Sequence, residues 1–340
     1  MLRVVSPGLL STVQDRGRPG LASMGVARGG ACDPLALAAA NLLAGNAADT
    51  PALEMSLLGP ELEVVDDCVV GLAGADMDAR VPENGRGLVA VGSHEIRAGT
   101  HLVFGPAVDG ARAYLALAGG IDAPRVLGSA STALVGGFGG IDGRPLAVGD
   151  CLRESRQGDR AGAGRAWPGP GPSSGVGAAN GPRTVRILPG PHLGRFPPGA
   201  MGRLLDTDWG VTSQADRAGV RLSGPELLAP GSHELVSTGM VWGAVQVPVG
   251  GRPIALLADH PTVGGYPVIA VVVTADLPVL GQLRPADVVR FVLVDQDEAR
   301  ALLMGAERDL AAAAAALVQA ADASSALPLL PEPRSSTRHD

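Results

Sequence analysis

The apolar residues of this chain come in short runs. Val64-Val65, Val69-Val70, Leu88-Val89-Ala90-Val91 and Val268 to Val273 are each soon cut off by Gly, Pro or Asp. Short runs rich in β-branched residues and closed by turn residues make strands, and many in succession make barrels or sandwiches. Turn positions are plentiful, with 49 glycines and 28 prolines. Aromatic residues are only 3% of the total, so the cores must be filled by Val, Leu, Ile and Ala. At 340 residues the expectation is two domains, and a 46% hydrophobic content is ample for two cores.

One helix stands out from this pattern. Asp33 reads as an N-cap, Pro34 occupies the first helical position and Gly45 follows the end, which predicts a helix over Pro34 to Ala44. Leu35, Leu42 and Leu43 are expected to face the core while the alanines allow close packing. A second helix is predicted from Asp297 to Ala321, where the alanine-rich centre has high intrinsic propensity. Leu327 to Asp340 is expected to fray.

Between these signals the chain repeats itself loosely. Leu2-Arg3-Val4-Val5 resembles Val185-Arg186-Ile187-Leu188, Gly59-Pro60-Glu61-Leu62 recurs as Gly224-Pro225-Glu226-Leu227, and Tyr114 to Ala118 parallels Ile254 to Ala258. Val135-Gly136-Gly137-Phe138 also echoes Val263-Gly264-Gly265-Tyr266. This pattern reads as a degenerate duplication. Arg156 to Pro182 has the Gly, Pro, Ser and Ala composition of a linker. The expected organisation is therefore 1–155, a linker at 156–182, a second half at 183–296, and a helical extension with its tail at 297–340.

Composition excludes several classes of function. Net charge is −7 and the basic residues are scattered, which argues against nucleic-acid or polybasic membrane binding and favours a small-molecule or protein partner. Met1 to Val5 enters directly into a strand-like run, without the apolar stretch of a signal peptide, and no segment suits a bilayer span; a cytoplasmic location is expected. All 27 basic residues are arginine. Without lysine there can be no Walker A loop and no Schiff base. The three cysteines have no metal-type spacing. Cys68 and Cys151 read as buried, and Cys32, beside the helix start, as a position where a thiolate could be stabilised.

The chemistry concentrates in Asp259-His260-Pro261-Thr262-Val263-Gly264-Gly265-Tyr266-Pro267, directly after the apolar run Ile254 to Ala258. A strand ending in a carboxylate, a hydroxyl and two glycines can fix an acid while bare backbone approaches a ligand; the bland alternative is a glycine turn. Gln246, Asp259, Thr262, Gly264, Gly265, Tyr266 and Asp276 form the main constellation. Asp33 is a second carboxylate candidate, with helix capping as its competing role. Gln14 and Asp15 sit in a turn-rich segment, where Asp15 could contact a ligand or satisfy local backbone donors. Asp216 and Arg217 could be a surface pair, or Arg217 could bind a substrate carboxylate or phosphate through its planar fork. His192, after Pro189-Gly190-Pro191, is a secondary proton-transfer candidate.

The segments "STVQDRGRPG", "GACDPLALAAANLLAGN", "ALEMSLLGPELEV", "YLALAGGIDAPRVLGSAST", "GGFGGIDGRPLAVGD" and "GAVQVPVGGRPIALLADHPTVGGYPVIAVVVTADLPVLGQLRPADVVRF" occur in an order that resembles the biotin-dependent carboxyltransferase, or allophanate hydrolase subunit 2, family from about Leu2 to Phe291. Its members include the C subunit of 5-oxoprolinase and the regulator KipA. The resemblance implies a mainly β fold of two tandem cyclophilin-like β-barrel subdomains. Departures from the family pattern are Gly29 for a serine, Cys32 for a methionine, Ala215 and Ala218 around Asp216-Arg217, and His260, Pro261 and Val263 in the main loop.

Three activities follow as expectations from the resemblance. In the first, the chain opens 5-oxoproline to glutamate at the expense of ATP, with a KipI-like subunit and a LamB/YcsF-type subunit. Asp259, Asp33 or His192 would then be catalytic, with Arg217 on a carboxylate or phosphate and the Gly264-Gly265 backbone at a developing oxyanion. Without a P-loop, ATP would be held by backbone nests and arginines or by a partner. The second is carboxyl transfer from carboxybiotin to urea or a related amide, with biotin on another protein. The third is a KipA-like regulator of a KipI-like kinase inhibitor. In each case the polar loops of the two halves are expected to share one cleft.

Overall fold

The computed structural model of the chain describes residues 1–155, 163–169, 171, 181–228 and 235–325. The first half carries β1 (Leu2–Ser6), β2 (Leu10–Gln14), α1 (Pro34–Leu43), β3 (Ala52–Ser56), β4 (Glu61–Val64), β5 (Cys68–Asp76), β6 (Arg80–Val81), β7 (Arg86–Gly87), β8 (Gly92–Ile96), β9 (His101–Val103), β10 (Asp109–Leu117) and β11 (Cys151–Leu152). The second carries β12 (Arg183–Pro189), α2 (Ala200–Asp206), β13 (Trp209–Val211), β14 (Gly219–Ser223), β15 (Thr238–Gly239), β16 (Ala244–Gln246), β17 (Ile254–Leu256), β18 (Val263–Gly264), β19 (Val268–Val272), α3 (Leu277–Gly281), β20 (Val288–Leu293) and α4 (Gln296–Ser325).

The protein is mainly β, as its short apolar runs require. In the second half, β12-β19-β16-β17-β14-β13-β20 close into a barrel around Trp209, Phe291, Val185, Ile187 and Val245. The first half divides its hydrogen bonding between a six-stranded sheet, β11-β1-β4-β9-β6-β7, and a five-stranded sheet, β2-β3-β10-β5-β8. Both sheets face one core of Leu2, Leu53, Leu62, Leu102, Leu115 and Leu152. The apolar run Leu88 to Val91 lies between β7 and β8 rather than in a strand. It is flanked by Gly87 and Gly92, and Leu88 is buried while Val89 is exposed, so the run has no ladder to join.

Strand β10 explains how α1 is placed. Ala113, Leu115 and Leu117 point into the inter-sheet core, while Tyr114 and Ala116 point to the other face, where α1 packs. The expected cap is present: Asp33 Oδ1 accepts from the Ala36 N–H at 2.9 Å. The buried face of α1 is made of Ala36, Leu37, Ala39, Ala40 and Leu43, whereas Leu35 and Leu42 are half-buried on its flank. The alanine face wins because the helix sits almost on the sheet backbone. A Cβ on Gly71 of β5 would lie 2.0 Å from the Ala40 carbonyl oxygen.

Much of the expected linker, and all of Leu327 to Asp340, lies outside the described residues. Residues 163–169 of that linker are docked on the first half. Arg165 N donates to Ser93 Oγ at 2.8 Å, Ala166 bridges to Gly92, and Trp167 packs beside α1. Helix α4, capped by Asp295 on the Glu298 N–H at 2.8 Å, lies against both α1 and the turn Thr274–Asp276, touching each half. No helix among the described residues is long and apolar enough to cross a membrane.

Candidate functional site

The loop after β17 turns at Asp259, and the turn before β14 carries Arg217; the Asp259 N–H donates to the Arg217 carbonyl at 2.9 Å, joining the two. Arg217, only 3% exposed, points from the barrel into the first half. Its Nε and Nη2 grip Asp259 at 2.8 and 3.1 Å, Nη2 also donates to the Gly30 carbonyl at 2.7 Å, and Nη1 donates to Glu54 of β3. Arg217 therefore clamps the halves together, the pairing role taking up its guanidinium. Asp216 is exposed, and its Oδ1 accepts from the Ala218 and Gly219 N–H groups, so it shapes the turn that presents Arg217.

Glu54 is the centre of this cluster. It occupies the helix-facing side of β3, directly across from Tyr114 on β10. Its Oε2 accepts from the Tyr114 hydroxyl at 2.7 Å and the Cys32 N–H at 2.9 Å, and the Tyr114 oxygen accepts in turn from the Asp33 N–H at 2.8 Å. Burial alone would raise the Glu54 pKa, but Arg217 and Arg112, with the two hydrogen-bond donors, hold it below the ordinary glutamate value. Burial opposes the charge of Arg217, and the surrounding negative groups outweigh it and keep its pKa well above the usual arginine value.

Gln282 completes the seam between the halves. Its Oε1 accepts from the Ala111 and Arg112 N–H groups at 3.0 Å each, and its Nε2 donates to Asp33 Oδ2 at 2.8 Å and the Arg112 carbonyl at 2.9 Å. Arg112 returns the contact by donating to the Gly281 and Asp216 carbonyls. Asp33 is thus a fully buried helix cap and inter-half tie.

A second layer lies beside the clamp. Asp15 Oδ1 accepts from the hydroxyls of Ser129 and Ser131 at 2.5 and 2.6 Å and from the Gly17 N–H at 2.8 Å, and Oδ2 accepts from the Ala130 N–H at 2.7 Å. It organises the 129–131 loop. Gln14 is buried against Thr12 and Thr132. The loop carbonyls of Val126, Ser129 and Ser131 accept from Arg18, whose guanidinium stacks 4.9 Å from the Phe138 ring. Gly29 joins this layer to the barrel through its N–H on the Ala258 carbonyl at 3.1 Å.

The remaining candidates spread outward. Gln246, Thr262 and Gly264 gather at the β15–β18 ribbon: Gln246 Nε2 meets Met240 Sδ at 3.7 Å, and the Thr262 carbonyl accepts from the Met240 N–H. The Gly265 carbonyl accepts from the Leu235 N–H, and Tyr266 is exposed. His260 is buried, and desolvation lowers its pKa, which favours the neutral form. His192 and Asp276 lie elsewhere. His192 Nδ1 accepts from the Val268 N–H at 3.1 Å, and Asp276 is held by the Arg186 N–H and guanidinium. Cys32 is fully buried, and desolvation pushes its thiol up to about 11 despite Arg217 and Arg112, so it is no thiolate. Cys151 is only half-buried.

No His, Cys, Asp and Glu group suited to a metal occurs among the described residues. A groove of about 750 Å³ runs along another part of the seam, past Asp109, Arg183, Asp208, Arg284 and Asp287. Its charges largely neutralise one another, with Arg183 on Asp109 and Asp287 and Arg284 on Asp287, and no candidate residue reaches it. Of the residues expected to carry chemistry, Asp259 and Arg217 meet in the clamp. Sequence reasoning does not single out Glu54, Arg112, Tyr114, Gln282 or Arg18 as site residues. The signal for them was a lone acid inside the apolar run Ala52-Leu53-Glu54-Met55, and one of only two tyrosines inside a strand.

Comparison with known proteins gives a consistent family. Residues 24–293 match the model of the carboxyltransferase domain, subdomain A and B. The chain is 38% identical over 300 residues to the 5-oxoprolinase C subunit of Escherichia coli strain K12, covering 88% of this chain and 93% of that protein. It superposes on the crystal structure of the K. lactis urea amidolyase with a TM-score of 0.82 at 29% identity, over 91% of this chain and 20% of that one. On the crystal structure of TTHA0988 the TM-score is 0.75 at 38% identity, over 86% of this chain and 55%, about half, of that one.

Proposed function

Because the chain belongs to the carboxyltransferase-domain family of subdomains A and B, we propose that it is the C subunit of a 5-oxoprolinase, opening 5-oxoproline to L-glutamate with ATP and partner subunits. The observation that carries this reading is the end-to-end match to a 5-oxoprolinase C subunit, 93% of whose length is covered, against 20% of the urea amidolyase. The partners proposed are a KipI-like and a LamB/YcsF-type subunit.

A lactam carbonyl is a poor electrophile, and ATP would supply the activation. Arg112, Arg186 and Arg217 are committed to carbonyls and carboxylates, and ATP is proposed to be bound with or by a partner subunit. What this chain contributes is position. Asp259, held by two guanidinium hydrogen bonds, keeps a fixed orientation, and its Oδ1 retains acceptor capacity beside bare Gly29. That oxygen orients a donor, either the lactam N–H or the water that opens the ring.

A second reading, carboxyl transfer from carboxybiotin to urea or a related amide, draws on the TM-score of 0.82 with the urea amidolyase. It requires biotin carried by another protein, since this chain has no lysine to bear it. The deciding experiment measures 5-oxoproline-dependent ATP hydrolysis and glutamate release by the chain assembled with its partners. Coupled turnover that requires this chain and falls about 100-fold or more in Asp259→Asn, with the fold intact by circular dichroism, is the expected result. No turnover by a well-folded, complete assembly transfers the case to carboxyl transfer or to a KipA-like regulatory role.

A further inference from the structure

Arg18 carries a donor for which the protein provides nothing. The residue is 2% exposed, its Nε and Nη2 are taken by the carbonyls of Val126, Ser129 and Ser131, and its Nη1 is buried with no hydrogen-bond partner. Leaving a charged donor in that state is costly, and an acceptor that reached it would relieve the cost. Desolvation disfavours the charge further, and Asp15 and Asp259 compensate only through space.

The gap beside it is defined by Gly29. A side-chain carbon there would sit 3.8 Å from Arg18 Nη1 and 3.7 Å from Asp259 Oδ1, with no other atom outside the adjoining residues within 4 Å. Gly29 is buried and its φ of +61° favours glycine, so backbone conformation as well as the missing Cβ keeps a side chain from between the two groups. The Gly29 N–H is already spent on Ala258. A ligand in this gap therefore meets a cationic donor on one side and an anionic acceptor on the other.

We propose that Arg18, Gly29 and Asp259 form a specificity site for an α-carboxylated amide, in which Arg18 Nη1 takes the carboxylate and Asp259 Oδ1 takes the neighbouring amide N–H. A carboxylate and an N–H on the same carbon present that acceptor–donor pair a few ångströms apart, as 5-oxoproline does and 2-pyrrolidinone or urea does not. The inference rests on the lactam reading of the site and names what selects the lactam.

Arg18→Lys tests the donor but also loosens the 126–131 loop, so Gly29→Ala, which fills the gap and leaves the Arg18 contacts in place, is the paired variant. Arginine Nε–Hε NMR signals of the full chain are followed on titration with acetate, 5-oxoproline and 2-pyrrolidinone, and Arg18 is assigned as the signal missing in Arg18→Lys. Acetate and 5-oxoproline should move that signal saturably in the wild type and leave it unmoved in Gly29→Ala. Calorimetry should show 5-oxoproline binding at least tenfold more tightly than 2-pyrrolidinone, with the preference lost in Gly29→Ala. Equal affinity for the two lactams in the wild type, or an Arg18 signal indifferent to carboxylates, overturns the inference. Turnover of 5-oxoproline undisturbed by Gly29→Ala also overturns it while sparing the oxoprolinase reading. Saturable carboxylate binding at Arg18 in a complete assembly that does not turn 5-oxoproline over supports the site and removes that reading.

Discussion

Glu54 shows how one carboxylate can be both buried and necessary. It is 1% exposed and faces two arginines, so neutralising it leaves Arg112 and Arg217 with too little negative charge around them. Breaking one partner of such a group costs about 3–5 kcal/mol, because the remaining charges stay buried. Glu54→Gln is therefore expected to lower the urea midpoint strongly. The pH dependence has a definite sign. A glutamate whose folded pKa is depressed contributes stability above its unfolded value, near ~4.3, and loses it as pH falls through the folded value. Wild-type stability should drop below that range, and this acid limb should be flatter in Glu54→Gln; urea melts across the acid range measure both.

Helix α1 is where local and tertiary preferences agree most fully. Asp33 supplies the cap, Pro34 the first position, and Gly45, at φ +80°, the left-handed exit. Which face it buries is decided by the sheet beneath it. Gly71 on β5 admits the Ala40 carbonyl so closely that any side chain there displaces the helix. Gly71→Ala is expected to destabilise the protein by about 1–3 kcal/mol. Because α1 begins at Asp33, the same change should disturb the seam and lower activity along with stability; thermal melts and turnover on the one variant would show both, and an unchanged melting temperature would contradict the close packing.

Across the whole molecule, the two halves are joined by polar groups that neither half can satisfy alone. Gln282 spends both its donors and its acceptor on the other half, on Asp33, Ala111 and Arg112, and Arg217 reaches Glu54 and Gly30. Co-expressed fragments 1–169 and 181–340 should therefore associate. Gln282→Leu, which removes one donor to Asp33 and leaves the Ala111 and Arg112 N–H groups without their acceptor at about 1–3 kcal/mol each, should weaken that association at least tenfold in a pull-down titration; unchanged association would mean that apolar contact alone holds the seam. Most of the strands, α1 with its cap and the alanine-rich α4 were readable along the chain, because periodicity, capping and turn residues act within a few positions; the run Leu88 to Val91 read as a strand and is not one. The roles of Asp33, Asp15 and Arg217 were readable only as alternatives. Each could satisfy local backbone or reach a ligand, and the choice depended on which groups the other half brought near. Glu54, Tyr114 and Gln282 escaped notice because their partners lie 22 to 249 residues away in sequence. Short-range physics determined from sequence alone most of the strands and the two long helices, α1 and α4, but neither the short helices α2 and α3 nor the loop at Leu88 to Val91. Only the tertiary structure decided which charges are compensated, which leave a donor open at Arg18, and hence where a ligand can sit, because burial and pairing depend on contacts that only the assembled fold creates.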